Sequence, residues 1–152
     1  MDFYFVRHGE AEPEHVDRRR SLTSDGRRGV EKIARTAAAR RLKIAEILHS
    51  DKLRAKETAE ILAGFLSPAR GIREISGLSP EDDPLLAKAE LETSGEGLML
   101  VGHLPHLSRL AALLLVGNSE KKIVDFAPAT MICLSRESGI WRLGWTLSTE
   151  EA

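Results

Sequence analysis

Short apolar runs alternate with longer stretches of helical periodicity along the whole chain. The first run, Phe3-Tyr4-Phe5-Val6, predicts a buried strand over residues 2–6. Residues 10–22 are polar, charged and irregular, with Pro13 inside, and read as a loop. Thr23 then has the character of a helix N-cap. Val30, Ile33, Ala34, Ala37, Ala38 and Leu42 follow it at helical spacing. Residues 44–48 (Ile-Ala-Glu-Ile-Leu) read as a second short strand. Ser50 is placed to cap the next helix, whose inner face is Ala55, Ala59, Leu62 and Leu66 and which Pro68 and Gly71 end. Ile72 to Ile75 gives a third strand. The loop 76–84 closes on Asp83-Pro84, an N-cap followed by proline at the first helical position. Residues 97–101 (Gly-Leu-Met-Leu-Val) predict another buried strand. Pro105 opens a helix with Leu107, Leu110, Ala111 and Leu114 on one face, and Gly117 closes it. The runs 130–135 and 140–147, joined by Arg136-Glu137-Ser138-Gly139, predict an antiparallel hairpin. Trp141 and Trp145, four apart on its second strand, are expected on one face as packing residues.

This alternation predicts a three-layer α/β/α fold with a mainly parallel central sheet and a C-terminal antiparallel hairpin. Strand order is not legible from it. A chain of 152 residues predicts one domain, 1–152, large enough to bury roughly 70% of its unfolded surface. With 42% hydrophobic and 30% charged residues the composition is ordinary for a globular protein. A net charge of −1 gives no global attraction to nucleic acid or membrane. There is no signal-peptide pattern and no apolar run long enough to span a bilayer. Cys133 is the only cysteine, so no internal disulfide can form. A reducing, cytoplasmic setting is the corresponding expectation, with Cys133 as a buried structural thiol in the run Thr130–Leu134.

Composition changes the picture in one respect: 15 of the 22 basic residues are arginine, the side chain suited to bidentate recognition of phosphate and carboxylate. Three positions then matter. His8 follows the first strand, His103 follows a later strand in Val101-Gly102-His103, and Arg54 lies in the first turn of the helix after the second strand. In a parallel sheet these sites share the rim at the carboxyl ends of the strands, where ligands bind. Arg7 stands beside His8. Two histidines and two arginines on one rim suit phosphoryl transfer. The arginines neutralise nonbridging oxygens, one histidine attacks and the other stabilises the transferring group. The attacking nitrogen must be unprotonated, a form that neighbouring arginines favour.

Four segments together resemble the histidine phosphatase superfamily, the phosphoglycerate mutase-like proteins. They are Arg7-His8-Gly9-Glu10, Leu22-Thr23-Ser24-Asp25-Gly26, Ser50 to Ala59 (a Ser-x-x-x-Arg-Ala-x-x-Thr-Ala pattern) and Val101-Gly102-His103, in the family's order. The resemblance implies that His8 is the nucleophile that becomes a phosphohistidine. It implies that Arg7, Arg54 and His103 complete the phosphate pocket, with Gly9 and Arg20 as substrate-binding positions. Arg20 reads equally as part of a solvated basic loop with Arg18 and Arg19. Glu10 and Glu12 read as surface or supporting residues. Only about 45 residues separate Thr58 from His103, which leaves no room for the cap insertion of larger members. That compactness resembles the SixA-type phosphohistidine phosphatases. The customary carboxylic general acid has no clear counterpart. Asp83 is the nearest candidate, with the cap before Pro84 as its competing role.

An alkoxide leaving group needs a proton donor, and general acid help is typically worth about 10²–10⁴-fold. A departing imidazole needs less. The expected function is therefore a protein phosphohistidine phosphatase acting through His8. The alternatives are a small phosphatase for a metabolite or nucleotide phosphomonoester and, in a different class, a catalytically weak phosphate- or phosphoprotein-binding module. The expected partners are a phosphohistidine carrier domain or a small phosphomonoester, with phosphate as product and neither nucleic acid nor membrane. No cofactor is expected. No metal is expected either, because His103 and His106 flank Pro105 with no carboxylate or cysteine to complete a site. His106 reads as a helix-start residue near the rim, and His15 and His49 as exposed.

Overall fold

The N-terminal apolar run lies near the middle of a six-stranded sheet. The computed structural model describes residues 1–152 and orders the strands β3-β2-β4-β1-β5-β6. They are β1 (Asp2–Arg7), β2 (Glu46–His49), β3 (Ile72–Glu74), β4 (Leu98–Gly102), β5 (Met131–Glu137) and β6 (Ile140–Leu147). The pairs β1–β4, β4–β2 and β2–β3 are parallel, whereas β5 is antiparallel to β1 and β6 antiparallel to β5. Between them run helices α1 (Ser24–Ala39), α2 (Leu53–Leu66), α3 (Pro84–Thr93) and α4 (His106–Val116).

Side chains alternate across a strand, and β1 divides the core accordingly. Tyr4 and Val6 join α1 and α2 in one buried cluster through Val30, Ile33, Ala55 and Ala59. Phe3 and Phe5 join α3 and α4 in the other, through Leu91, Leu107 and Leu110. A sheet covered on both faces needs apolar residues at consecutive positions, which is why Phe3–Val6 and Leu98–Val101 carry no polar alternation. The three-layer architecture with its mainly parallel sheet and antiparallel hairpin is the one the pattern predicts.

Three local expectations are corrected. β2 lies at Glu46–His49 rather than 44–48, so His49 ends a central strand between Glu74 and Val101 and is buried rather than exposed. Lys52, not Ser50, occupies the N-cap of α2, without a side-chain capping bond. The two tryptophans do not share a face. Trp141 packs on Phe3 with ring centroids 5.1 Å apart, and Trp145 on Tyr4 at 6.0 Å. The hairpin register shifts between Cys133 and Leu134, which pair with Trp145 and Leu143 and leave Gly144 as an extra residue. One extra residue in a strand moves the side chains beyond it to the other face. Cys133 is buried as expected, and burial pushes its thiol up to about 12, which leaves it inert as a nucleophile.

The start of α1 is bonded to the segment after β1. Thr23 caps the helix by accepting from the Gly26 N–H at 2.9 Å, while its own N–H donates to the Glu10 carbonyl at 3.0 Å and its hydroxyl to the Glu10 carboxylate at 2.9 Å. A Cβ on Gly26 would lie 2.0 Å from the Glu10 carbonyl oxygen, so this position admits only glycine without movement of the backbone. Gly26→Ala should therefore lower the unfolding free energy by about 1–3 kcal/mol. The measurement is a fall in the urea midpoint at an unchanged slope.

Candidate active site

Parallel pairing of β1 with β4 sets Arg7 opposite Gly102. The ladder continues one step further, with the His8 N–H donating to the Gly102 carbonyl at 3.0 Å. His8 and His103 therefore leave neighbouring strand ends together, their ring centroids 5.0 Å apart and their planes inclined at 56°. Arg54, in the first turn of α2, and Arg7 are both half-buried. One Arg7 Nη donates to the Phe126 carbonyl at 2.8 Å, which anchors that guanidinium to the segment before β5. The Nε atoms of Arg7 and Arg54 are buried and have no protein acceptor. Burial holds both guanidinium groups below their usual range.

His8 keeps one ring nitrogen engaged and the other free. Its Nδ1 lies 2.7 Å from the Gly9 carbonyl. A carbonyl can only accept, so Nδ1 carries the ring proton and Nε2 keeps its lone pair. Burial pushes the ring's pKa down to about 4; the Gly9 carbonyl opposes that, and Arg54, Arg7 and Arg20 reinforce it. The Gly9 N–H donates to the Thr58 hydroxyl at 3.0 Å, which itself donates to the Arg54 carbonyl at 2.8 Å. Thr58 thus ties the turn after His8 to the helix that carries Arg54. Gly9 is needed sterically, since a Cβ there would lie 2.7 Å from a Val30 methyl.

His103 has a different arrangement, set by Ser50. The buried Ser50 hydroxyl has two hydrogen-bonding neighbours: the Lys52 N–H at 3.3 Å and His103 Nε2 at 2.6 Å. The Lys52 N–H can only donate, so the hydroxyl hydrogen has one acceptor, His103 Nε2. The ring proton of His103 is then on Nδ1, a buried atom with no protein partner. Burial pushes this ring down to about 2, with His8, Arg54 and Lys52 acting in the same direction. Two neutral imidazoles result. One offers a lone pair, and the other an unused N–H.

Arg20 comes to the same region. It adopts a left-handed backbone with φ of 53°, and its Nε donates to the Glu12 carbonyl at 3.0 Å. It lines one cleft of about 570 Å³ with Arg54. Asp83 is not brought to that cleft. It is exposed, and its carboxylate accepts from the Leu85 N–H at 2.9 Å as the cap of α3. The carboxylates that line the cleft are Glu14, Asp51 and Glu74. Glu10 is engaged by Thr23, and Glu12 through its backbone by Arg20. His106 is the buried first residue of α4, and His15 is exposed. No group of three His, Cys, Asp or Glu side chains is arranged to hold a metal ion. No helix is long and apolar enough to cross a membrane. Sequence reasoning missed the partnership of Ser50 with His103, although Ser50 lies inside the segment that carries Arg54. It also missed the Phe126 carbonyl, for which a backbone acceptor leaves no sequence signal.

Nitrogen-detected NMR should find both rings as Nδ1–H tautomers that stay neutral at pH 6. Ser50→Ala should release His103 into a mixture of tautomers and leave His8 unchanged. Both rings bind protons less readily folded than unfolded, where histidine titrates near about 6.5. Their contribution to stability is thus complete above that pH and is lost as pH falls, toward about 4 for His8 and about 2 for His103, because the unfolded chain takes up protons first. A His8→Gln, His103→Gln double variant should show a flatter pH dependence of the urea midpoint across this window.

Known proteins share this chain's sequence pattern and fold. Residues 3–79 match the histidine phosphatase superfamily (branch 1). The chain is 28% identical over 153 residues to the phosphohistidine phosphatase SixA of Escherichia coli (strain K12), covering 97% of this chain and 94% of that one. Its structure aligns with that of the protein histidine phosphatase SixA complexed with tungstate at a TM-score of 0.87 and 25% identity, over 98% of this chain and 97% of the other. A mycobacterial glucosyl-3-phosphoglycerate phosphatase shares the fold at a TM-score of 0.73 and 17% identity, over 94% and 96% of the two chains. From its own segments and these likenesses, the chain belongs to the histidine phosphatase superfamily.

Proposed function

We propose that this phosphatase hydrolyses phosphohistidine on a protein, through a phosphohistidine formed at its own His8. The observation that carries the reading is the neutral His8 ring, with Nδ1 tied to the Gly9 carbonyl and Nε2 left free beside two arginines. In the first step Nε2 bonds to phosphorus as the bond from phosphorus to the substrate's imidazole nitrogen breaks. Arg7, Arg54 and the His103 Nδ1–H meet the charge on the nonbridging oxygens. The substrate ring carries a proton on its other nitrogen, so it departs as a neutral imidazole and its leaving nitrogen needs no proton. In the second step a water oxygen bonds to phosphorus, the bond to Nε2 breaks, and phosphate leaves with neutral His8 restored. The arginines supply the positive charge, so the reaction is proposed to need no metal. Arg20 is proposed as a further contact to the phosphoryl group.

Substrate choice depends on the proton. Asp83 is engaged as a helix cap, which leaves an alkoxide leaving group without that donor. A phosphomonoester reading rests instead on Asp51, which lines the cleft with Arg54.

On matched peptides, kcat/KM for phosphohistidine should exceed that for phosphoserine by about 10²-fold or more. Equal values would overturn the phosphohistidine reading, and loss of phosphoserine activity in Asp51→Asn would favour the ester reading. His8→Ala should abolish turnover and the alkali-stable phosphoenzyme. Arg54→Ala should lower kcat by roughly 10²–10³-fold. A chelator should leave the rate unchanged.

A further inference from the structure

The cleft beside the phosphate pocket is larger than a phosphoryl group requires. It measures about 570 Å³ and is lined by Arg18, Arg19, Arg20, Lys52, Arg54 and Lys56 against three carboxylates, Glu14, Asp51 and Glu74. The charge there is not neutralised internally. Of the six cations only Lys52 makes an ion pair, with Asp51 at 3.8 Å, whereas Arg27, Arg28, Arg35, Arg70, Arg73 and Arg109 elsewhere all have carboxylate partners. On a chain of net charge −1 this is a local concentration of positive charge.

The loop that bears these arginines is held in place. The Asp17 carboxylate accepts from the Arg19 N–H at 3.0 Å and the Ser21 N–H at 2.9 Å, and the Arg20 N–H donates to the Asp17 carbonyl at 2.9 Å. Arg18 and Arg19 are exposed. They are presented at fixed positions without being consumed by the fold. The chemistry of the walls narrows what they would meet. Leu53 is the single apolar residue of the lining, which holds no aromatic ring, so the wall is almost wholly charged. An extended anionic surface fits this wall, and a compact apolar ligand does not.

We propose that Arg18, Arg19 and Lys56 dock acidic side chains that flank the phosphorylated residue of a protein substrate. The proposal rests on the reading that the substrate is a phosphoprotein. The docking residues share the cleft with Arg54 but are not among the groups proposed to meet the phosphoryl oxygens, so they act on encounter and binding and leave the chemical step alone. Exposed charges of this kind steer association and are screened by salt.

Two short phosphohistidine peptides decide it, one with glutamates flanking the phosphorylated residue and one with glutamines. At about 50 mM salt the glutamate peptide should have the higher kcat/KM by roughly tenfold, mostly through KM, and the advantage should collapse near about 0.5 M. The Arg18→Ser, Arg19→Ser variant should lose the preference while hydrolysing the glutamine peptide at the unaltered rate. Equal kcat/KM on the two peptides, or a preference that survives the double substitution, would overturn the proposal. Should phosphohistidine peptides resist hydrolysis, the phosphohistidine reading fails separately. The same flanks on phosphoserine peptides, read as binding to His8→Ala protein by fluorescence anisotropy, then decide the docking surface with the same two outcomes.

Discussion

One hydrogen bond, from the His8 N–H to the Gly102 carbonyl, sets the geometry on which the site depends. It extends the β1–β4 ladder one residue past the strands and fixes the two histidines as neighbours. Parallel strands cannot be joined by a tight turn, so the chain between them must travel through α1, β2, α2, β3 and α3. That detour delivers Arg54, because β2 lies on the other side of β4 and its following helix starts at the same rim. A slip of one residue between β1 and β4 would turn Phe3–Val6 inside out and separate the rings. The apolar demands of both faces thus protect the register that the chemistry needs.

Positive charge and the free lone pair lie on different side chains. The guanidinium groups keep their charge at any pH a folded protein meets, while burial strips charge from both imidazoles. The two rings are then set to opposite tasks by the groups that touch them. A carbonyl at His8 Nδ1 leaves a lone pair free, and a hydroxyl at His103 Nε2 leaves an N–H free. Identical residues become acceptor and donor through uncharged hydrogen-bond partners, while burial and the neighbouring cations keep both rings neutral.

The fold was legible where periodicity is strong. Phe3–Val6, Leu98–Val101 and the α1 face from Val30 to Ala38 lie in elements of the expected kind. Strand order was not legible, since pairing partners far apart in sequence leave no periodic trace. The tryptophans misled because a bulge at Gly144 cancels the two-residue period that a uniform strand would keep. In the site, Arg7, His8, Arg54 and His103 were legible from their places at strand and helix ends. Ser50 was read as a cap because serine before a helix usually is one. Its partner is 53 residues away, and no local pattern could have named it.

The contact between Gly26 and Glu10 has a consequence for motion. Loops that carry reacting groups commonly open at low free-energy cost, independently of the core. Here the segment after His8 is bonded to the first turn of α1, whose Val30, Ile33 and Ala34 are wholly buried. The residues that would accept the phosphoryl group therefore share the cooperative unit of the core. Such a site cannot breathe alone. Its amides should resist hydrogen exchange as strongly as those of the helix, and substrate must enter a pocket already formed.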